Sequence, residues 1–431
     1  MKCKFCGARL TGTAQTCPAC GKKNASAQPP AEYSEMKRNA IVYGSIAAIA
    51  AVAVLLFVLL QTGWDAGSLF SWAKPKANTV YCKGSYTVSN WKAASRQDQV
   101  IATMGDLQLT NGQLQVYYWM QVRQFIDSYG DSASYLGMDY TGDLAEQTYT
   151  DGVSTWQQFF LTSALELWQS NQAFAALAEK ENFTLPSSYQ TYLNNLEQEL
   201  EEAARENGYT SAEKMVRAEM GAGCSVADYM DYLKTYYTGY LYFQHLYGQI
   251  QPAEEEISAY FEEKAEEFAA AGITGQSGSY VDVRHILLAV HADTDAAWEA
   301  CREEAEAVLR LWEASNMTEA DFVILATDYS DDTGSAAMGG LLTDLARGDT
   351  ESGFENWCFA PERRPGDYEL IKTSYGYHIV YFVETEQIWH AEARLALTQA
   401  LGRELVEDVL RQYVLEVDYK KIVLGKVKIT G

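Results

Sequence analysis

Cys3, Cys6, Cys17 and Cys20 form a C-x2-C-x10-C-x2-C pattern, and each pair runs straight into a glycine, Gly7 or Gly21. Two such knuckles suit one tetrahedral Zn²⁺: a tight turn converges both sulfurs on the metal, and glycine permits the positive φ that the turn requires. Four thiolates close the coordination shell, so the expected zinc is structural rather than catalytic. Two disulfides are the competing use of these thiols, but the membrane orientation argued below places them in a reducing compartment. Cys82, Cys224, Cys301 and Cys358 lie far apart, and for them free thiols and bridges both stay open.

The elements that carry these residues follow from charge and hydropathy. At 431 residues the chain is too long for one ordinary domain, and 48% hydrophobic residues exclude wholesale disorder. Residues 1–39 hold seven basic and two acidic side chains, a formal +5, so the remainder carries −30 of the net −25. That balance excludes nucleic acid as a partner of the outer part, since phosphate neutralisation needs clustered Lys and Arg. Ala40 to Leu60 is a run of 21 residues without a charge, long enough at about 1.5 Å per residue to cross roughly 30 Å of hydrocarbon. The 39 residues ahead of it argue against a cleaved signal peptide, and the absence of any following Cys before Cys82 argues against a lipoprotein. Lys37-Arg38 on one flank and Asp65 on the other place the N-terminus in the cytoplasm. The expectation is a single-pass protein of the cell membrane, with a zinc ribbon at 1–24, a cytoplasmic linker at 25–39, a transmembrane helix at 40–60 and all else extracytoplasmic.

Residues 61–98, rich in Ser, Ala, Gly and Asn, read as a stalk. Residues 99–271 read as a helical domain, with apolar positions at Phe160, Ala164, Leu167 and Phe174 and again at Leu193, Leu196 and Leu200. Thr210-Ser-Ala-Glu213 and Ser225-Val-Ala-Asp228 are candidate capping boxes. Seven of the 29 tyrosines fall between Tyr229 and Tyr247; the leading reading is a helical core with hydroxyls at its rim, and a surface that holds extended polypeptide is the second, compatible one. After a Gly/Ser stretch from Gly272 to Gly278, Tyr280–Val290 is strand-like. Trp298, Cys301, Ala305, Val308 and Trp312 mark one helix face, and Tyr368–Thr373 and Gly376–Val383 read as two strands around a turn.

Residues 281–383 resemble the parvulin peptidyl-prolyl isomerases. The resemblance rests on Arg284-His285-Ile-Leu, Tyr329-Ser-Asp-Asp332, Gly339-Gly340-Leu-Leu342, Arg347-Gly348, Phe354-Glu355 with Phe359-Ala360, and Gly376-Tyr-His378-Ile. The overall layout is similar to the SurA/PrsA-type exported folding factors, with Ala102–Leu114 like the opening of their helical domain and Pro252–Phe268 like their connecting helix. The fold this implies is α+β: a parvulin-like isomerase domain at 279–384, inserted in or following an all-α chaperone lobe, with 385–431 returning to pack on that lobe.

Rotating an X-Pro amide breaks its resonance, so the transition state is twisted, less polar and about 18–20 kcal/mol above the ground state without help. The chemistry needs no nucleophile and no cofactor. It needs a dry socket for the proline ring and groups that treat the twisted amide differently from the planar one. The resemblance assigns Leu342, Phe354, Phe359 and Thr350 to substrate binding, with Thr350 standing where Met is usual. It assigns His285, His378 and Thr373 to a shared hydrogen-bond network and Asp332 to the position facing the amide. Leu341 stands where the family usually has Asp, and Asp344 where it has an aromatic; with Thr350, these departures bear on turnover.

The leading reading is a membrane-anchored isomerase and foldase for unfolded exported polypeptides. A catalytically weak or inactive holdase of the same fold is the alternative. A third reading makes the ribbon the working end, with an unnamed cytoplasmic partner. The loop His291–Trp298 is acidic, which disfavours phosphate-directed recognition, and no Gly-rich Lys-Ser/Thr phosphate loop points to ATP.

Overall fold

The computed structural model describes residues 86–427, which divide into two compact units. The first unit takes in the described chain up to Gly248 and again from Leu405; the second, Gln249–Glu404, is inserted between those two stretches. The expected ribbon at 1–24, linker at 25–39 and transmembrane helix at 40–60 lie outside the described residues. Among the described residues no helix is long and apolar enough to cross a membrane.

The first unit is helical but not all-α. It contains β1 (Thr87–Val88), α1 (Asn90–Ser95), β2 (Val100–Met104), β3 (Leu107–Thr110), α2 (Asn111–Tyr129), α3 (Trp156–Lys180), α4 (Ser187–Glu206), α5 (Ala212–Met220) and α6 (Val226–Tyr247). From the C-terminal end of the chain come β8 (Glu416–Val417) and β9 (Val423–Leu424). β1 pairs in parallel with β9, and β2 pairs antiparallel with both β3 and β8. The expected stalk therefore ends earlier than residue 98, because Thr87–Ser95 finds partners more than 300 positions away that no local pattern reveals. Two buried amides of α2 extend this pairing. Asn111 donates to the Lys421 carbonyl and accepts from Val423 N–H, while Gln115 donates to the Val423 carbonyl and accepts from Gly425 N–H, at 2.8–3.1 Å. Each amide left unpaired would cost about 1–3 kcal/mol.

Helix starts in this unit follow their caps. Thr110 with Gln113, Thr155 with Gln158 and Ser225 with Asp228 form reciprocal boxes. The expected box at Thr210 shifts by one residue: Ser211 caps α5, and Glu213 instead accepts from Val226 N–H at 2.9 Å. Tyr229, Tyr232, Tyr236 and Tyr237 are each 8% exposed or less, so they are core rather than platform.

The second unit begins with α7 (Glu254–Glu263) and α8 (Ala265–Ala270), a segment the sequence reading had joined to the helical lobe. Next come β4 (Ser279–Ala289), α9 (Asp295–Glu313), α10 (Glu319–Tyr329), β5 (Leu341–Leu345), α11 (Ser352–Cys358), β6 (Tyr368–Lys372) and β7 (Gly376–Gln387). α12 (Ile388–Gln412) starts here and passes into the first unit at Leu405, so only the later part of 385–431 belongs to the lobe. The strands form an antiparallel sheet in the order β5-β4-β7-β6, with β4 and β7 paired from Ser279–Gln387 to Ala289–Gly376.

Strand alternation then sorts the side chains into two layers. Ile286, Leu288 and Ile379 face α9 and α10, packing on Cys301, Ala305, Val308, Trp312, Phe322 and Ala326. Val281, Val283, Val380 and Phe382 face the other way, onto Phe354, Trp357 and Cys358 of α11. His285 continues the second series on β4, and His378 continues it on β7. Cys224, Cys301 and Cys358 are buried free thiols, which resolves three of the four open cysteines.

Candidate active site

His285 and His378 sit on the central strands β4 and β7 with their Nδ1 atoms 3.1 Å apart and their rings nearly parallel. His285 is held from the β5 side: its N–H donates to the Gly340 carbonyl at 2.8 Å. Gly340 has φ +72°, and a Cβ there would lie 2.1 Å from the His285 carbonyl oxygen, so the close approach requires glycine. Arg284 pins the same loop, donating to the Met338 and Gly339 carbonyls while pairing with Glu319 at 2.7 Å.

Beyond His285 the edge of β4 is no longer covered by β5, and the loop after α10 takes its place. Leu287 N–H donates to Ser330 Oγ, Asp331 N–H donates to the Leu287 carbonyl, and Ala289 N–H donates to the Asp331 carboxylate. Asp331 is thus a structural clamp, and it delivers the next residue, Asp332, to His285. Asp332 Oδ2 lies 2.8 Å from His285 Nε2, and Thr373 Oγ1 lies 2.9 Å from His378 Nε2.

A carboxylate only accepts, so the chain has one direction. His285 donates from Nε2 to Asp332 and accepts at Nδ1 from His378 Nδ1–H; His378 in turn accepts at Nε2 from the Thr373 hydroxyl. Both imidazoles are then neutral. The electrostatics agree. Burial lowers His378 to about 4, helped by the neighbouring His285, and burial lowers His285 against the pull of Asp332. Burial alone would raise Asp332, but hydrogen bonds from Ser335, His285 and Gly334 N–H outweigh it and hold the carboxyl below its usual range. The Asp332 side chain is 30% exposed, so part of the carboxylate faces solvent.

Phe354 is buried and edge-on to both imidazoles, with ring centroids 6.0 Å from His285 and 5.4 Å from His378. Leu342, paired with Val283, packs against the same cluster, as does Phe359. The Arg347 guanidinium covers the Phe359 ring at 4.8 Å. Thr350 is half-buried in the turn leading to α11, next to Glu351, whose carboxylate is tied to Ser374. His285, His378, Thr373, Asp332 and Phe354 therefore meet as expected, with Leu342 in the cluster beneath them; the metal ligands Cys3, Cys6, Cys17 and Cys20 lie outside the described residues.

Residues 285–384 match the family model described as Rotamase, the PPIC-type PPIase domain. The domain is a parvulin-type isomerase domain. Its curated relatives include foldase protein PrsA 3 of Bacillus anthracis, 38% identical over 68 residues, 16% of this chain and 24% of that one. Foldase protein PrsA 1 of Listeria monocytogenes is 31% identical over 115 residues, 26% of this chain and 34% of that one. The chain thus matches about a third or less of the length of these curated relatives. Among solved structures, PrsA from Bacillus subtilis is 20% identical, covering 64% of this chain and 93% of that chain, with a TM-score of 0.32.

One member of the parvulin site escaped the sequence reading. Ser335 is 1% exposed, and its Oγ lies 2.5 Å from Asp332 Oδ2 and 3.0 Å from His285 Nε2. A serine in a Gly/Ser/Ala turn carries no signal of its own. The available clue was its position three residues after Asp332, the offset at which a turn folds a hydroxyl back onto a carboxylate.

Proposed function

We propose that this chain is a membrane-anchored peptidyl-prolyl cis/trans isomerase and foldase that acts on unfolded exported polypeptides. The observation that carries the reading is the directed chain Thr373–His378–His285–Asp332 laid over Phe354. A proline ring seated against Phe354, Leu342 and Phe359 brings its preceding amide to the solvent-facing part of Asp332. The carboxylate there disfavours the planar, polar amide more than the twisted one, and no covalent bond forms. The histidines do no proton transfer to substrate; their neutral, stacked arrangement fixes where Asp332 stands. Protease-coupled isomerisation of X-Pro peptides by the full chain tests this: acceleration that Asp332→Ala removes supports it, and equal rates with and without the chain overturn it.

The holdase reading keeps one specific support: Leu341, Asp344 and Thr350. Asp344 is exposed at φ +55° where the family places an aromatic, and its N–H donates to the Asp282 carboxylate at 2.8 Å, so no aromatic ring is available at that position. Thr350→Met should raise kcat/KM if the socket limits turnover.

The N-terminal part enters the same proposal. The donor set of Cys3, Cys6, Cys17 and Cys20, four thiols in two CxxCG knuckles, fits a structural zinc that would fold residues 1–24. Residues 40–60 would anchor the chain, with the ribbon facing an unidentified cytoplasmic partner and the isomerase outside. Metal analysis of the full chain should return one zinc, lost when Cys17 and Cys20 become Ser. Added protease should reach the parvulin domain in intact cells stripped of their wall.

A further inference from the structure

We propose that Ser335 is a positioning residue that sets the direction of the proton chain from Thr373 to Asp332. The inference rests on the isomerase reading for its functional meaning, but its physical content is independent of activity. Two donors converge on one carboxylate oxygen, since His285 Nε2 lies 2.8 Å and Ser335 Oγ 2.5 Å from Asp332 Oδ2. Gly334 N–H takes the other oxygen at 3.1 Å. The Ser335 backbone is fixed as well: its carbonyl accepts from Met338 and Gly340 N–H, each at 2.9 Å. The hydroxyl therefore has little freedom to point elsewhere.

The consequence concerns protons. While Asp332 is a carboxylate it can only accept, so His285 must carry its proton on Nε2 and His378 on Nδ1. A protonated Asp332 could donate to His285 Nε2, and every bond in the chain could then reverse, moving the proton of His378 to Nε2 and turning the Thr373 hydroxyl into an acceptor. Ser335 opposes that reversal, because a hydroxyl donating to the carboxylate favours its charged form. The titratable groups around this network are His285 on β4, His378 on β7, Asp331 beside Asp332, and Glu351, whose charge is felt at His378.

The test uses the full chain labelled with ¹⁵N-histidine, read by NMR across pH, alongside the pH profile of kcat/KM. The wild type is expected to show His285 as the Nε2–H tautomer and His378 as the Nδ1–H tautomer. In Ser335→Ala the acid limb of the profile should move up by about one pH unit, with His378 passing to the Nε2–H tautomer over the same range. At neutral pH, where Asp332 stays ionised in both proteins, kcat/KM should change little, so the loss should appear only on the acid side. In an Asp332→Ala background, Ser335→Ala should add nothing. Unchanged tautomers and an unchanged acid limb in Ser335→Ala would overturn the proposal, whatever the variant's stability. Should that variant fail to fold, wild-type tautomers opposite to those named overturn it equally. A wild type without isomerase activity but with the expected tautomers and their change in Ser335→Ala would sink the functional reading and leave Ser335's role standing.

Discussion

In the lobe, the indole N–H groups of Trp156 and Trp168 are buried and reach no protein acceptor. In the parvulin domain, His285, His378, Thr373 and Ser335 are also buried, yet each of their side-chain nitrogens and oxygens has a partner within 3.1 Å. The lobe uses aromatic rings mainly as volume, stacking Phe159 on Tyr149 and Tyr240 on Tyr236, while its buried amides Asn111 and Gln115 serve to tie residues 421–425 to α2. Around His285 the domain instead pairs its buried polar atoms completely, and a partly satisfied network there would be worse than an apolar core. Within that domain the complete pairing is local to the histidines, since the Trp357 indole N–H is buried there without a protein acceptor.

The contrast can be broken from either side. The largest effect is expected in the lobe, where Trp168→Ala should cost about 3–5 kcal/mol through the cavity it leaves. Chemical unfolding of the variant should register that loss while the histidine tautomers of the parvulin domain stay unchanged. A shift in those tautomers would mean that the two regions are not separable in this way.

Next in size is the acid response of the parvulin domain. His378 is lowered from 6.5 to about 4 by burial, so the unfolded chain binds a proton that the folded chain refuses as pH falls from about 6.5 toward 4. Stability should drop across that window by up to about 3 kcal/mol, and His378→Phe should flatten the slope. Asp332 has the same sign at lower pH: its stabilisation is present above the ordinary carboxyl range and is lost as pH falls through its depressed value. The lobe should respond with the opposite sign, because burial raises Glu166 from 4.5 to about 7 and its stability should fall as pH rises across that window.

A smaller effect belongs to the turn that places His285. Gly340→Ala combines a positive φ with a Cβ 2.1 Å from the His285 carbonyl oxygen. It should cost about 2 kcal/mol or more and lower activity through a displaced imidazole, which the His285 ¹⁵N shifts would reveal.

The parvulin site was largely legible in the sequence because its members belong to short, punctuated segments. Gly340 and Gly376 mark the close approaches, and the period of two along β4 and β7 puts His285 and His378 on one face. Asp332 was legible from its motif, whereas the clamp through Asp331 and Ser330 that delivers it was not, since those bonds run to the edge of β4, more than 40 residues back. Ser335 was missed for a different reason, since its bond to Asp332 spans only three residues but sits in a turn of small residues that carries no signal of its own. The lobe was legible as helices with a returning C-terminal segment, but its small sheets were not, because β1, β8 and β9 are two-residue strands whose partners lie at the opposite end of the chain. The tyrosines of α6 read first as core, and the burial of Tyr229, Tyr232, Tyr236 and Tyr237 agrees; spacing alone leaves a surface role open until the neighbours are known.

The most direct test of the account is proline-limited refolding of a model protein by the full chain, with Asp332→Ala and His285→Ala compared and aggregation followed in the same samples. The account predicts acceleration by the wild type, a loss of roughly 100-fold in that acceleration in Asp332→Ala, and aggregation suppressed to the same degree by all three proteins. Suppressed aggregation with no acceleration by the wild type would contradict it, and would leave the parvulin fold here as a client-binding scaffold.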